Sequence, residues 1–282
     1  GNTLSFVPDK KLKNGTKYQV KFNLSKLLKV GEELKEFKFT VNTLKQDFTV
    51  NTLDIQSHNR DYQYLNIVVK TADALSSQNA AKLISANQNG KKLKIKFNKE
   101  LSSNTEFRFI VDSIKRSTSE SKIEIKYDGD AIDVDQKGTI DYNIVARDNF
   151  EVVNIEVDDA KSQTLRINFS DPIERMQDFE GLIAVESASE MTFSSDGNIL
   201  KVFFEKPLTG NLLTEIFQGI ESLDGHKLKT TYAEKINFSP LVPAIKFLKS
   251  GTLLPESANL KLNFEAVNLK AVDVKVYKIY KN

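Results

Sequence analysis

The chain has 282 residues, of which 40 are basic and 38 acidic, so its formal net charge is +2 at pH 7. At roughly 100 to 200 residues per domain this length predicts two or three domains, and the balanced charge argues against nucleic acid or an anionic membrane as a partner. Cysteine is absent and the only histidines are His58 and His226, which excludes disulfides and thiolate chemistry and leaves little for zinc sites or catalytic triads.

Alternation of apolar and polar residues predicts β-strands with one buried face, because successive side chains of a strand point to opposite sides. In chain order, the alternating segments are Tyr18 to Leu24, Phe37 to Val41, Leu65 to Val69, Leu93 to Phe97, Ile123 to Tyr127, Ile140 to Ile144, Leu165 to Phe169 and Val272 to Val276. One short helix or crossover turn is predicted between Ser77 and Ser85, with Ala80, Ala81, Leu83 and Ile84 on its apolar face.

Glycine-containing turns separate these segments. They are Asn14-Gly15, Asn89-Gly90, Asp128-Gly129, Asp196-Gly197 and Asp224-Gly225, and each glycine is expected to adopt a positive φ. Short strands with a turn every 8 to 12 residues or so predict an all-β fold of tandem antiparallel Ig-like β-sandwiches, each of about 100 residues.

An internal repeat sets the predicted domain boundaries. The segment Leu65 to Val69 matches Leu165 to Phe169, and Leu93 to Phe97 matches Leu200 to Phe204. The opening segment Leu4 to Leu12 resembles the second of these matched segments, and no copy of the first matched segment precedes it. The chain is therefore expected to begin inside one unit, and a start at Gly1 with methionine only at 176 and 191 indicates a piece of a larger protein.

Near the C-terminal end, Pro240, Pro243 and Pro255 interrupt strand pairing. We therefore predict a partial Ig-like unit at 1–45 (a second half), complete Ig-like sandwiches at 46–146 and 147–241, and a truncated sandwich at 242–282. The last segment is too short for a core of its own.

Candidate catalytic chemistry is sparse. His58 lies in the polar stretch Ser57-His58-Asn59-Arg60-Asp61, where a hydrolase would also need a nucleophile and an orienting acid. The G-x-S-x-G elbow is missing, so a loop histidine is favoured. His226 follows Asp224-Gly225 and is interpreted as a turn residue.

Two charged stretches invite ligand hypotheses. Asp128, Asp130, Asp133 and Asp135 suggest calcium, but an EF-hand spacing places Ile132 or Lys137 at positions that need oxygen ligands. A solvated hairpin edge is favoured. The run Lys91-Lys92-Leu93-Lys94-Ile95-Lys96 is interpreted as the solvent face of a strand rather than a nucleic-acid surface. The sequence thus predicts no enzyme, no catalytic residue, no metal site and no cofactor.

A family resemblance carries the functional hypothesis. The segment Ser250 to Tyr280, with the string Phe264-Glu-Ala-Val-Asn-Leu-Lys-Ala-Val-Asp-Val274 at its core, resembles the start of the first macroglobulin domain of bacterial alpha-2-macroglobulin family proteins. The two upstream units are more loosely similar to the Ig-like domains that precede the macroglobulin body.

The resemblance implies a large protease trap in the periplasm or cell envelope, with a lipid anchor outside this chain as its membrane contact. Its partners would be target proteases, engaged elsewhere in the parent, and the remaining macroglobulin domains. The bait and the Cys-Gly-x-Gln thioester of the family lie outside this chain, which would be a non-catalytic stalk. The alternative is a surface adhesin or glycan-binding protein built of Ig-like domains. The absence of tryptophan weakens that alternative, because sugars stack on exposed aromatic platforms.

Overall fold

Antiparallel β-sheet makes up nearly all the regular structure of the computed structural model, which describes residues 7–10, 12–26, 31, 35–159, 162–240, 243–247, 264–267, 269 and 271–275. The all-β prediction is confirmed at this level, with one short α-helix among the described residues, α1 (Ser77–Lys82). The chain divides into two units, Gly1–Asn149 (unit 1) and Phe150–Asn282 (unit 2). Each unit is described by itself.

Unit 1 contains ten described strands. They are β1 (Lys17–Asn23), β2 (Glu36–Asn42), β3 (Phe48–Ser57), β4 (Tyr62–Thr71), β5 (Ile84–Gln88), β6 (Lys91–Lys92), β7 (Lys94–Asn98), β8 (Glu106–Lys115), β9 (Ser121–Asp128) and β10 (Lys137–Ile144). They form a hairpin, β1-β2, and two four-stranded sheets of order β3-β4-β8-β7 and β10-β9-β5-β6. Leu65, Ile67 and Val69 of β4 are fully buried, so this strand lies at the centre of the core.

Unit 2 contains nine described strands. They are β11 (Val152–Asp158), β12 (Thr164–Phe169), β13 (Ile183–Val185), β14 (Met191–Asp196), β15 (Ile199–Phe204), β16 (Gly210–Ile216), β17 (Tyr232–Phe238), β18 (Ala244–Phe247) and β19 (Phe264–Val267). The sheets have the order β11-β12-β15-β14 and β13-β16-β17, with a separate hairpin β18-β19. The core gathers around Leu165, Ile167 and Phe169 of β12 and the stacked ring of Phe150.

The two units repeat one strand order. In both, the second strand of the larger sheet, β4 or β12, pairs with the first strand and with a strand far along the chain, β8 or β15. Between these two paired strands the chain crosses to the other sheet, where it forms β5 or β13. It then returns to the larger sheet as an edge strand, β7 or β14. Leu65 and Leu165 therefore occupy equivalent strands, as the repeat predicts.

The second half of the predicted repeat match is wrong. The segment 93–97 contains the edge strand β7, whereas 200–204 lies in β15, which pairs directly with β12. Asn89-Gly90 accordingly turns from β5 to β6, while Asp196-Gly197 turns from β14 to β15. The local pattern of a turn followed by an apolar strand occurs at both places, and it does not specify which strand of the sheet follows.

Some local predictions also need correction. Gly129 is predicted to have a positive φ, but its φ is −84°. A glycine is required there because of its small size, since a Cβ would lie 2.3 Å from the carbonyl oxygen of Val134. The other four predicted turn glycines do have positive φ. Ala81, predicted on the apolar face of α1, is exposed, and β5 already begins at Ile84.

The terminal segments differ from the predicted half-buried strands. In β2, Phe37, Phe39 and Val41 are exposed, so no described residue covers this face of the β1-β2 hairpin. Residues 271–275 carry no strand in the structure. Positions 4–6 and 276–280, which also entered the predictions, lie outside the described residues.

Because each unit has its own apolar cluster, Leu65→Ala and Leu165→Ala should each lower the free energy of unfolding of one unit by about 2 to 5 kcal/mol, through lost contacts and a residual cavity. Differential scanning calorimetry should resolve which transition moves. Leu101→Ala, at a leucine that is 68% exposed, is the matched control and should move neither. A shift of both transitions by either buried variant would contradict independent cores.

Candidate functional site

His58 and Asp112 form the main cluster of titratable groups that the sequence analysis touched. His58 follows β3 in the turn to β4, and its Nε2 lies 2.7 Å from Oδ1 of Asp112 on β8. The imidazole also packs against the ring of Tyr64, with 4.8 Å between centroids. Lys96 of β7 completes the cluster through an ion pair with Oδ2 of Asp112.

A β-bulge brings Asp112 into this position. Between β4 and β8 the register shifts between the pair Gln63–Ile114 and the pair Leu65–Val111, and Ser113 takes a positive φ of 61°. Phe107, Phe109 and Val111 face the core, whereas Asp112 lies on the opposite side of the strand and is nevertheless buried. Bulges of this kind re-aim a side chain.

The ammonium of Lys96 holds the pKa of the Asp112 carboxyl down to about 2, from its ordinary 3.8, and outweighs the opposing effect of burial. Hydrogen bonds from His58 and from the Ser113 amide lower it further. Asp112 is therefore a permanent carboxylate near neutral pH, paired with a cation.

A carboxylate and an imidazole are two members of a hydrolytic triad, but a nucleophile is needed as the third. In the part of the chain that the structure describes, the imidazole of His58 has Asp112 and Tyr64 as its partners and no hydroxyl within hydrogen-bond distance. The arrangement is that of a bulge stabilised by its neighbours, in agreement with the prediction of a loop histidine.

The same turn leads to a second cluster, at the point where the chain leaves unit 1. We call Arg60, Asp61, Arg116, Arg147 and Asp148 the exit cluster. Nη2 of Arg60 donates to Asp148 Oδ1 at 2.7 Å, and Nη1 of Arg147 donates to Asp61 Oδ1 at 2.8 Å. These ion pairs join the β3-β4 turn to residues 145–149. The Arg147 guanidinium lowers the pKa of Asp61, whose own carboxylate raises the pKa of Arg147.

Arg116 is the buried member of the exit cluster, with 1% of its surface exposed. Its Nε donates to the carbonyl of Val145 at 3.2 Å, and its Nη2 donates to the carbonyls of Ala146 at 2.8 Å and Asn149 at 3.4 Å. Its own amide donates to the carbonyl of Asp61 at 2.8 Å. One residue thus joins the end of β8 to the β3-β4 turn through its backbone amide and to the exit segment 145–149 through its guanidinium.

The acidic stretch is neutralised from within. Nζ of Lys137 lies 3.0 Å from Asp128 Oδ2 and 2.5 Å from Asp130 Oδ2, while Asp133 and Asp135 are exposed. The backbone amide of Asp130 and then Lys137 lower the pKa of Asp128, and the two carboxylates raise that of Lys137. Among the described residues no group of three or more histidine, aspartate or glutamate side chains could hold a metal ion.

The remaining candidates have ordinary surroundings. The backbone amide of His226 donates to Ser222 Oγ at 3.0 Å and its carbonyl accepts from the Ser222 amide at 2.8 Å, as expected of a turn. Lys91, Lys92, Lys94 and Lys96 are exposed along β6 and β7. The four lysines are exposed as predicted, but they do not share one strand: β6 and β7 belong to different sheets, and Phe97, predicted on the buried face, is 37% exposed.

Sequence reasoning missed Arg116 and Asp112. Arg116 comes directly after the apolar strand β8 in a chain whose cations are mostly lysine, and that contrast was the available signal. For Asp112 the signal was a break in alternation, since Phe107, Phe109 and Val111 are followed by Ile114. Neither signal identifies the partners, which lie far away in sequence.

Comparisons with other proteins assign no family: no family model matches the chain, and neither do curated proteins or solved structures. In the described part of the chain, no helix has the length and apolar character needed to cross a bilayer.

The ion pair of Lys96 and Asp112 should make stability depend on acid pH. The pKa of Asp112 is depressed in the folded state, so its stabilising contribution is present above about pH 4 and is lost as the pH falls towards 2. Because Lys96 is half exposed, we expect Lys96→Met to lower the free energy of unfolding at pH 7 by only about 1 kcal/mol and to raise the pKa of Asp112.

Carboxyl carbon NMR titration and urea unfolding from pH 2 to 7 provide the measurement. Lys91→Met is the matched control, because Lys91 is an exposed lysine on β6, which belongs to the other sheet of unit 1. A wild-type Asp112 that titrates near 4 would show that the pair does not form.

Proposed function

We propose that this chain is a non-catalytic spacer made of tandem Ig-like β-sandwiches, and that it serves as the N-terminal stalk of a large bacterial alpha-2-macroglobulin-like protease inhibitor of the cell envelope. The inhibitor part of this proposal rests on the resemblance of the segment around Phe264 to Val274. The spacer part rests on the fold and on the exit cluster.

The strand orders support the Ig-like part. A constant-type immunoglobulin sandwich has strands A-B-E-D in one sheet and C-F-G in the other. In each unit we letter the strands of the two sheets in chain order, omitting β6. The larger sheets then have the order A-B-E-D, as β3-β4-β8-β7 and β11-β12-β15-β14. The other sheets contain the order G-F-C, as β10-β9-β5 and β17-β16-β13. The edge ring contact of Phe48 on β3 with Tyr127 on β9, at 6.1 Å, joins the two sheets of unit 1.

The exit cluster is the observation that carries the spacer function. A spacer has to hold the segment through which it continues to the next domain, whereas connecting segments are ordinarily mobile. Here the buried guanidinium of Arg116 donates to three carbonyls of residues 145–149. The amide of Arg147 adds a hydrogen bond of 2.8 Å to the carbonyl of Ser117. The exit segment is therefore attached to the body of unit 1.

The terminal hairpins agree with partial sandwiches at 1–45 and 242–282. In β1-β2, Val20 pairs with Phe39 and Phe22 with Phe37, so one face carries apolar pairs. The last two strands of unit 1, β9 and β10, are paired in the same way, with Ile125 opposite Ile140. We propose that β1-β2 is the final hairpin of a further sandwich, and that 242–282 begins another.

Removal of the Arg116 guanidinium should release the exit segment. We expect Arg116→Ala to remove the guanidinium donors from the carbonyls of residues 145–149, to cost about 3 kcal/mol in the free energy of unfolding, and to accelerate amide exchange at Arg147 and Asn149. Hydrogen exchange monitored by NMR gives both values. Arg108→Ala is the control, because Arg108 is a partly exposed guanidinium paired with Glu106 on its own strand.

Exchange at β4 amides in the same sample separates local release from global unfolding, since β4 should respond only to the latter. The conservative variant Arg116→Lys keeps the charge but not the fork of donors, and should release the segment as well. Unchanged exchange at Arg147 and Asn149 in both variants would remove the support for a spacer.

A further inference from the structure

Unit 2 has an open sheet edge beside a groove. The edge strand β14 pairs with β15 on one side, and the described residues provide no backbone partner for its other side. A groove of about 720 Å³ is lined by β14 and by the loop 175–181. An unpaired edge presents amide and carbonyl groups that can pair with another extended chain.

The equivalent edge strand of unit 1 is protected, and β14 is not. Proteins commonly block such edges with charged side chains, lysine above all. The strand β7 carries Lys94 and Lys96 over five residues, whereas β14 reads Met-Thr-Phe-Ser-Ser-Asp, with no charge before Asp196. The edge strand at this position therefore carries lysines that discourage strand addition in unit 1 and carries none in unit 2.

The groove has an apolar floor and an acidic rim. Phe179 of the loop is buried and packs against Phe193 of β14, with 5.8 Å between ring centroids. Asp178, Glu180 and Glu190 line the same groove together with one cation, Arg175. Three carboxylates against one guanidinium leave the groove negative.

One buried polar atom in the groove lacks a partner. The side-chain carbonyl of Gln177 accepts from the Glu221 amide at 2.7 Å, while its Nε2 is buried and has no hydrogen-bond partner among the described residues. An unsatisfied buried donor is costly, and a carbonyl oxygen is the acceptor that it lacks.

We propose that β14 and the loop 175–181 bind an extended peptide of a partner protein, which adds to β14 as a further strand. Main-chain hydrogen bonds to β14 would supply affinity, and alternate side chains would supply specificity. The peptide places apolar side chains on Phe179 and Phe193 and lysine or arginine side chains beside the acidic rim. This inference concerns a binding site and does not depend on the spacer proposal.

The charge of the groove argues for such a partner rather than for a second copy of this chain. Antiparallel pairing of two β14 strands would bring together the acidic rims of both copies, including Glu190. Like charges placed opposite each other are destabilising. A basic, alternating peptide meets the same rim with opposite charge.

Fluorescence anisotropy with the labelled probe Lys-Val-Lys-Phe-Lys-Val-Lys, capped at both ends, tests the proposal on the full 282-residue chain. We expect saturable binding. A peptide N-methylated at alternate residues keeps charge and side chains but loses strand donors, and should bind at least about tenfold more weakly. Replacement of its lysines by glutamate should abolish binding.

Two variants locate the site. Ser194→Lys adds to the exposed side of β14 a lysine of the kind found on β7, and Glu190→Gln removes one rim charge; each should weaken binding, the first by about tenfold. Ala233→Lys, at an exposed position of β17, is the matched control and should leave binding unchanged. Thermal unfolding of each variant verifies that it is folded.

The proposal is overturned if the N-methylated probe binds as well as the parent peptide, because attraction by charge alone then suffices. Equal binding by wild type and by both β14-side variants would also overturn it. Sedimentation of the unliganded chain should show a monomer; a dimer that Ser194→Lys dissociates would replace the peptide by a second copy.

Discussion

The pairing of β4 with β8, and of β12 with β15, is the constraint on which the rest of each unit depends. These partners are far apart in the chain, so their contact requires the intervening residues to cross to the other sheet and return. Leu65, Ile67 and Val69 are fully buried because β4 has a paired strand on each side and these side chains face the core. The edge strands, the crossovers and the exit segment all take their positions from this central pair.

Arg116 extends that constraint to the end of unit 1. It follows the last residue of β8 and therefore starts from the most fixed part of the sheet. From there its guanidinium reaches the carbonyls of Val145, Ala146 and Asn149, which belong to no strand. A buried cation is costly to desolvate, and here its planar fork supplies donors in several directions to neutral carbonyl oxygens. A lysine at the same place would offer a point charge without that geometry.

The sequence predicts the central strands well and the position of each strand in its sheet poorly. Alternation identifies β4, β9 and β10 because their burial follows a period of two over most of each strand. It also identifies β12 through Leu165, Ile167 and Phe169, although nearly all of that strand is buried. The match of 93–97 to 200–204 failed because a turn and an apolar strand look alike at an edge and at the centre of a sheet. The bulge at Asp112 escaped prediction because Ser113, and not a glycine, adopts the positive φ. The partners of Arg116 are set by tertiary structure, which no local pattern records.

The most direct test of the stalk hypothesis is the size and behaviour of the polypeptide that carries this segment in its native cells. An antibody against unit 1 should detect, in envelope fractions, a protein several times longer than 282 residues. After exposure to an added endopeptidase, that protein should be cleaved once or a few times and retain the protease in a complex. A product no longer than this chain, or one that is degraded without retaining protease, would contradict the account.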